Sequence, residues 1–287
     1  MRLSTFLGRI GAIGTAIAIG GAAAAESQLP ELPVIGQPVD GAMNFQPTAT
    51  DIKRDIVWLD TMLMWILTAI TILVLALLLI VILRYNKRVN PTPARFTHNS
   101  PLEVTWTVVP IVILVFIGAF SLPILFKQQI MPEADVTIKT TGFQWYWTYE
   151  YPDHEFEFGS FMLERDELAE HGYSDEHYLL ATDTAMVVPV NQTVVVQVTA
   201  ADVIHAWTVP AFGVKQDGIP GRLAELWFAA EEEGIYFGQC SELCGINHAY
   251  MPITVKVVSE EEYEAWLDRA IDQYGGTPRE VDTAAAN

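Results

Sequence analysis

Hydrophobic residues are distributed unevenly along this chain, and two long apolar runs dominate its first half. Residues 66–83 contain no charged side chain, and a second apolar run extends from Val104 to Phe126. At about 1.5 Å of rise per residue, either run as a helix crosses a hydrocarbon core of roughly 30 Å. We therefore predict transmembrane helices over residues 56–84 and 103–127. The alternative, a buried helical hairpin of a soluble protein, agrees poorly with the basic residues that flank both runs.

After residue 128 the pattern changes to short runs of β-branched and aromatic residues separated by Gly, Pro and Asn. The run "VTIKTTGFQWYWTYEY" alternates, and "QTVVVQVTA", "HAWTV", "GIYFGQC" and "PITVKVV" follow it. Many short strands at this spacing are typical of an antiparallel sandwich or barrel, which we predict over residues 128–258. The stretch "SEEEYEAWLDRAIDQYG" then has a Ser cap and helical spacing. It predicts a C-terminal helix and tail over residues 259–287.

The N-terminus has the features of a secretory signal. Arg2 and Arg9 precede an Ile/Ala/Gly run that ends in alanines, so we interpret residues 1–25 as a cleaved signal peptide and 26–55 as an exported segment. A short N-terminal membrane anchor is the alternative. The loop 85–102 between the two spans is rich in Lys and Arg, which favours a cytoplasmic position. Both termini and the β-domain are then expected on the outer side of the membrane.

The negative charge is concentrated in the predicted β-domain and its tail. The chain has a net charge of −19, and the part after residue 128 holds 28 Asp and Glu against 7 Lys and Arg, a local net of −21. Such a surface repels nucleic acid, so we expect no nucleic-acid partner, and it attracts basic proteins. On charge alone, an acidic surface that keeps the domain soluble is the favoured explanation.

The only two cysteines lie in the stretch "CSELCGINHAYM". A strand-like run precedes this stretch and another follows it, so Cys240, Cys244, His248 and Met251 are predicted on a loop between two strands. Thiolate, thioether and imidazole are the ligands of copper electron-transfer sites. A site for one copper uses one cysteine, so the second thiol suggests two bridged coppers. Such a site needs another nitrogen ligand, for which His205 is the best candidate.

Copper binding is one of several roles that this stretch could have. The two cysteines could form a disulfide, which an exported location permits. They could bind structural zinc, although methionine is a poor zinc ligand, and Met251 could simply belong to the core. The remaining histidines of the domain, His154, His171 and His177, lie in a polar segment and are predicted to face solvent.

These motifs resemble those of subunit II of haem–copper cytochrome c oxidases of the alphaproteobacterial and mitochondrial type. The likeness runs nearly end to end, from the two-helix hairpin through "QWYWTYEY", "DVIHAWTVPAFGVKQDGIPGR" and "CSELCGINHAYMPI". It implies a transmembrane hairpin followed by an all-β, cupredoxin-like Greek-key sandwich or barrel. It also implies a multi-pass protein of the bacterial inner membrane, with the copper domain and both termini in the periplasm.

The resemblance implies a function as well. The chain would be the electron-input subunit of a proton-pumping cytochrome c oxidase, which accepts electrons from cytochrome c and passes them to haem in subunit I. Oxygen would be reduced to water there, and subunit III would be a further partner. The alternative is a membrane-anchored copper carrier or chaperone outside an oxidase. A quinol oxidase subunit of the same fold would lack the copper ligands, all of which are present here.

The family pattern further implies a binuclear copper centre and its ligands. In chain order these are His205, Cys240, the carbonyl of Glu242, Cys244, His248 and Met251. The two thiolates would bridge the metals, each imidazole would bind one of them, and the thioether and the carbonyl would be weak axial ligands. The side chain of Glu242 would reach a magnesium ion at the interface with subunit I.

Roles outside the metal centre also follow from the resemblance. Trp145 would be the point at which electrons enter from cytochrome c, and Glu103 would be the point at which protons enter a pathway of subunit I. The sequence Ser100-x-x-Glu103 by itself predicts only an ordinary helix-capping acid. The acids matched to the docking face for cytochrome c are Glu150, Asp183 and Asp202, with Glu157 beside Gly159, where the family has a further acid.

Overall fold

The computed structural model describes residues 23–26 and 28–278. The predicted signal peptide therefore lies outside the described residues except for 23–25, and so does the end of the predicted tail. The described chain contains a long helical hairpin followed by a domain of two main sheets. A four-residue helix, α1 (Ala23–Glu26), and a short strand, β1 (Val34–Gly36), precede the hairpin and pack on the sheet domain.

The hairpin consists of α2 (Asp51–Arg84) and α3 (Ser100–Gln129), both long and apolar enough to cross a membrane. Helix α2 begins where the Thr50 hydroxyl accepts the N–H of Lys53. This cap explains why the helix starts inside the segment 26–55, before the apolar run itself begins. Both helices therefore extend beyond the hydrophobic stretches from which the spans were predicted.

The first turn of α3 differs from the predicted capping box by one residue. Asn99, rather than Ser100, is the N-cap, and its side chain accepts the N–H of Leu102. Glu103 Oε1 in turn accepts the N–H of Asn99 at 3.3 Å. Ser100 is already helical and is followed by Pro101, a residue favoured in the first helical turn. Glu103 thus accepts the N–H of the N-cap residue from one position beyond that of a capping box.

The β-domain contains ten strands and a C-terminal helix. They are β2 (Val136–Phe143), β3 (Tyr146–Tyr151), β4 (Phe156–Ser160), β5 (Met186–Pro189), β6 (Val194–Ala200), β7 (His205–Val209), β8 (Val214–Gly218), β9 (Ala224–Phe228), β10 (Gly234–Gln239), β11 (Pro252–Val258) and α4 (Glu260–Tyr274). One sheet has the order β1-β10-β11-β5, and the other has the order β4-β3-β2-β6-β9. Strands β7 and β8 form a separate hairpin.

The sheets are open and mixed rather than purely antiparallel. Three pairs run parallel, namely β1 with β10, β11 with β5, and β2 with β6. The expectation that the strands pair antiparallel is therefore wrong for these three pairs. Each joins strands that are far apart in the sequence, and a parallel pair needs a long connection that leaves no local turn pattern.

The core lies between the two sheets and is rich in aromatic side chains. Trp147 and Tyr149 of β3 and Trp207 of β7 are fully buried. Helix α4 adds Trp266, which packs 5.3 Å from the ring of Tyr151. Because each strand alternates its side chains between two faces, the inward residues form one continuous cluster. This cluster extends to the two cysteines of the chain.

Ion pairs join the helical hairpin to the β-domain. Lys127 Nζ lies 2.5 Å from carboxylate oxygens of both Asp51 and Asp55, which connects the start of α2 to the end of α3. Arg54 forms a two-pronged pair with Glu231 of the β-domain. These groups are partly exposed, so each pair contributes little stability alone. Of these pairs only Arg54 with Glu231 crosses to the β-domain, where the indole of Trp227 also donates to the carbonyl of Lys127.

Candidate metal centre

The conspicuous cysteine segment is a loop that connects β10 to β11, as predicted. Cys240 follows β10 directly, and Met251 immediately precedes β11. The two strands pair antiparallel along their full length, from Gly234 with Val257 to Gln239 with Pro252. Both ends of the loop are therefore held by the sheet. Within it, only His248–Tyr250 forms a single 3₁₀ turn.

Two thiols and two imidazoles come together at this loop. Cys240 Sγ is 3.8 Å from Nδ1 of His205, the first residue of β7, and Cys244 Sγ is 3.4 Å from Nδ1 of His248. The two sulfurs are 3.8 Å apart, and both cysteines are free thiols. The donors thus divide into two Cys–His halves that share a sulfur–sulfur edge. No disulfide is formed between them.

Two weaker donors complete the set. Met251 Sδ lies 3.5 Å from Cys244 Sγ, and the carbonyl oxygen of Glu242 lies 3.3 Å from Cys240 Sγ. Met251 is only 1% exposed, whereas Glu242 is an exposed residue. Soft sulfur donors with imidazole nitrogens suit copper, and zinc rarely takes a thioether. The residues present therefore fit a pair of copper ions better than a structural zinc.

The electrostatics of the site favour ionisation of one thiol before the other. Burial raises the pKa of Cys240, but hydrogen bonding to His205 and to the backbone of Ala206 outweighs burial and brings that pKa to about 7. Burial raises the pKa of Cys244, and the adjacent Cys240 raises it further. Burial lowers the pKa of His205, yet Cys240 and Asp202 raise it overall.

Trp145 lies in the turn between β2 and β3, close to the metal centre. Its indole Nε1–H donates to the carbonyl of Cys244 at 3.3 Å, and the side chain of Gln144 donates to the same carbonyl at 2.9 Å. The residue is partly exposed and its ring packs against Gly245, where a methyl group would lie 3.0 Å from Trp145 Cζ2. A half-exposed aromatic ring therefore contacts the backbone of a donor residue directly.

Two further residues of β2 and β3 support the site, and the sequence pattern did not single them out for it. Trp147 is fully buried, donates its Nε1–H to the carbonyl of Met251 at 3.3 Å, and packs edge-on against His205. Gly142 lies under the same imidazole, so close that a methyl group would be 2.9 Å from the ring. Alternation along β3 indicates that Trp147 faces inward, but no local signal connects Gly142 with His205.

The acids expected on a docking face occupy different environments. Glu150 is paired with Lys139 at 2.6 Å and lies opposite Glu157, which is exposed. Asp183 is only partly exposed and accepts the N–H of Phe161. Asp202 Oδ1 lies 2.9 Å from Nε2 of His205, so this acid belongs to the surroundings of the metal centre.

Glu103 is not part of this cluster. It lies in the first turn of α3. Lys127 lies in the last turn of the same helix, where it contacts Asp51 at the start of α2, next to the β-domain. At 1.5 Å per residue, about 36 Å of helix separates the two positions. The chain therefore has one candidate site at each end of the hairpin.

One histidine prediction is wrong. His177 is buried rather than solvent-facing, because it packs against Phe237 at 5.4 Å between ring centres. Its Nε2 lies 3.0 Å from the side-chain oxygen of Gln37, and its Nδ1 accepts the N–H of Ser174. The polar segment folds back over β10 and has a small apolar core of its own.

Comparison with known proteins gives matches over most of the chain. The family model of the cytochrome c oxidase subunit II periplasmic domain matches residues 136–258, and that of the subunit II transmembrane domain matches residues 38–124. Cytochrome c oxidase subunit 2 of Cereibacter sphaeroides is 60% identical over 291 residues, which cover 96% of this chain and 94% of the relative. A probable cytochrome c oxidase subunit 2 of Rickettsia bellii is 46% identical over 232 residues, 80% of this chain and 85% of the relative.

A solved structure is also similar. The crystal structure of the periplasmic domain of subunit II of cytochrome oxidase from Bradyrhizobium japonicum is 52% identical. It covers 50% of this chain and 99% of that domain, with a TM-score of 0.46.

Proposed function

Because the chain belongs to the cytochrome c oxidase subunit II family, we propose that it is the subunit through which a proton-pumping oxidase receives electrons from cytochrome c. The observation that carries this proposal is the convergence of two thiols and two imidazoles in two Cys–His halves. A free-standing copper carrier would also need thiols. It would not need the half-exposed tryptophan that contacts the carbonyl of Cys244.

The residues of the centre would hold two copper ions. Cys240 and Cys244 would bridge them, and His205 and His248 would each bind one. A copper pair bound in this way supplies one-electron transfer with the charge shared between two metals. The protein's own contribution is rigidity, since His205 and both cysteines are almost completely buried. Donors that cannot move keep one arrangement in both oxidation states.

The weaker donors and the exterior of the loop would serve the same centre. Met251 and the carbonyl of Glu242 would be axial ligands, and the exposed carboxylate of Glu242 would bind magnesium at the interface with subunit I. Leu243 and Ile246 of the loop are 76% and 87% exposed. Large apolar side chains at that exposure favour a partner surface, and subunit I is the partner we propose for it.

Electrons would enter at Trp145. The indole is partly exposed and contacts the carbonyl of Cys244, so a donor docked over the turn would lie one hydrogen bond from a residue that carries a proposed bridging thiolate. The acidic surface, with Glu150, Glu157, Asp183 and Asp202 as the matched acids, would attract the basic face of cytochrome c. Complementary charge of this kind raises the association rate and makes it dependent on salt.

The membrane part would connect the subunit to proton uptake. The chain is a membrane-anchored subunit of an oxidase complex, and we propose the orientation with loop 85–102 in the cytoplasm and the copper domain in the periplasm. Glu103 would then lie at the cytoplasmic surface, where protons would enter a pathway of subunit I. Subunit III would complete the neighbourhood of the hairpin.

The test is made on the full chain in the oxidase that co-purifies with it. We expect two coppers per chain in addition to the metals of subunit I, and an electron paramagnetic resonance spectrum in which one electron couples equally to two copper nuclei. Cys244→Ser should abolish that spectrum and electron input from cytochrome c while the haem content is unchanged. Ser241→Ala, a change of similar size in the same loop, should leave the spectrum intact. Normal electron input in the Cys244→Ser oxidase would refute the proposal.

A further inference from the structure

Asp202 has an environment unlike that of a surface docking acid. Its side chain is 33% exposed, and its Oδ1 faces Nε2 of His205 at 2.9 Å and accepts the N–H of Val203 at 2.6 Å. Its Oδ2 accepts the backbone N–H of Gln144 at 2.7 Å. Both oxygens therefore have partners inside this chain, in addition to the part of the side chain that remains exposed.

The contact with His205 decides which ring nitrogen is available to a metal. A carboxylate at Nε2 keeps the proton on that nitrogen and leaves the lone pair on Nδ1. Nδ1 is the nitrogen that faces Cys240 Sγ at 3.8 Å. Because the imidazole is fully buried between Trp147 and Gly142, this arrangement holds the ring in one orientation.

The contact with Gln144 connects the same carboxylate to the electron-accepting turn. Gln144 immediately precedes Trp145, and the side chains of both residues donate to the carbonyl of Cys244. The turn is thus held on one side by Asp202 and on the other by the cysteine loop. One carboxylate fixes a metal-binding imidazole and the backbone next to the tryptophan.

The second histidine of the centre has no equivalent support. His248 Nδ1 faces Cys244 Sγ, but no carboxylate of the described residues is hydrogen-bonded to His248 as Asp202 is to His205. The two halves of the centre are therefore chemically unequal. A carboxylate behind a metal-binding histidine makes the imidazole more basic and a better donor.

We propose that Asp202 is a positioning residue that orients His205 for copper and ties the Trp145 turn to it, which makes the two copper positions unequal. This inference rests on the proposed copper centre. It predicts that the His205 half stabilises the oxidised state more than the His248 half does. Neutralising Asp202 therefore raises the reduction potential of the centre and makes the two histidines more alike.

The test compares Asp202→Asn with Asp217→Asn in the purified oxidase. Asp217 is an exposed acid on β8, next to Gly218, the register partner of His205. Both variants lose one charge near the centre, but only one loses the contact with the imidazole. The readouts are the copper count, the nitrogen couplings of the two histidines by electron–nuclear double resonance, and the midpoint potential.

We expect Asp202→Asn to weaken copper binding by about 10- to 100-fold. The same variant should change one of the two nitrogen couplings and raise the midpoint potential. Asp217→Asn should change neither the couplings nor the potential. An Asp202→Asn oxidase with normal couplings and potential would overturn the inference, even if its KM for cytochrome c rose, since that result describes a docking acid only. If Asp202→Asn does not fold, Asp202→Ser, which also lacks the carboxylate, is compared in the same way, and normal couplings and potential overturn the inference there too. An unmodified oxidase without two coppers in this subunit would instead refute the proposed function.

Discussion

Gly142 offers a direct test of how tightly the metal centre is packed. A methyl group at this position would lie 2.9 Å from Cγ and Cδ2 of His205 and 3.0 Å from its Cβ. Strand β2 is paired on both sides, with Gly142 opposite Trp147 on β3 and Ala200 on β6. The backbone therefore cannot retreat, and Gly142→Ala must displace the imidazole.

The size of the effect follows from this confinement. Overpacking of a well-packed interior costs about 1–3 kcal/mol. His205 is fully buried and is held at Nε2 by Asp202, so the ring has no unoccupied space into which it can turn. If the strain is relieved by moving the ring away from its metal-binding position, copper affinity falls by roughly 5- to 150-fold.

The assay is competition for copper between the full chain and a chelator, followed by the absorbance of the bound metal. Gly159→Ala is the matched control. A methyl group there would lie 2.7 Å from Cε2 of Phe161, but that residue is 48% exposed and its ring can move. Equal copper affinity for both variants and the unmodified chain would show that His205 is not confined as argued.

Three further results are expected. In the copper-free chain, thiolate absorbance should rise in a step near pH 7, because the lowered pKa of Cys240 keeps its thiolate above that pH and the thiolate is lost as the pH falls through it. Cys240→Ser should remove this step. Cys244, whose pKa is raised, should ionise only in a separate step at much higher pH. Lys256→Met should lower the free energy of unfolding by about 3 kcal/mol in a denaturant titration, since it removes the ammonium group that lies 2.7 Å from the buried carboxylate of Glu26. The double variant with Glu26→Gln should recover most of this loss. Removal of copper should lower the melting temperature. The free energy of unfolding should fall by about 4 kcal/mol compared with a chain in free copper at roughly 1,000 times the dissociation constant. Identical melting with and without copper would contradict a metal site in the folded state.

The elements of the fold that could be predicted are those with a local period. Two apolar runs predicted the hairpin, and alternation predicted strands such as β2 (Val136–Phe143). Neither the parallel pairing of β2 with β6 nor the addition of β1 to β10 could be predicted. These pairings bring together segments that are distant in sequence, and their partners are chosen by the packing of the core.

The same distinction applies to the candidate site, where residues with a local sequence signal were predicted and residues defined by distant contacts were not. Most of its donors lie in one twelve-residue loop, so their spacing was enough to indicate soft metal ligands. His205 was identified as a candidate because it ends an apolar run. Gln144 and Gly142 were missed, since their roles depend on contacts with the carbonyl of Cys244 and with the imidazole of His205. His177 was misjudged because the polar segment around it covers β10.

The positions of the missed residues suggest how one loop could both hold the proposed copper pair and accept electrons. The carbonyl of Cys244 receives hydrogen bonds from Gln144 and Trp145, while the thiol of the same residue faces Cys240 and His248. A movement of the tryptophan turn would therefore act directly on Cys244, one of the two proposed bridging residues. Because the turn is also anchored to Asp202, which contacts His205, both halves of the proposed centre hold the turn, and a partner docked over Trp145 would meet a backbone fixed at two points.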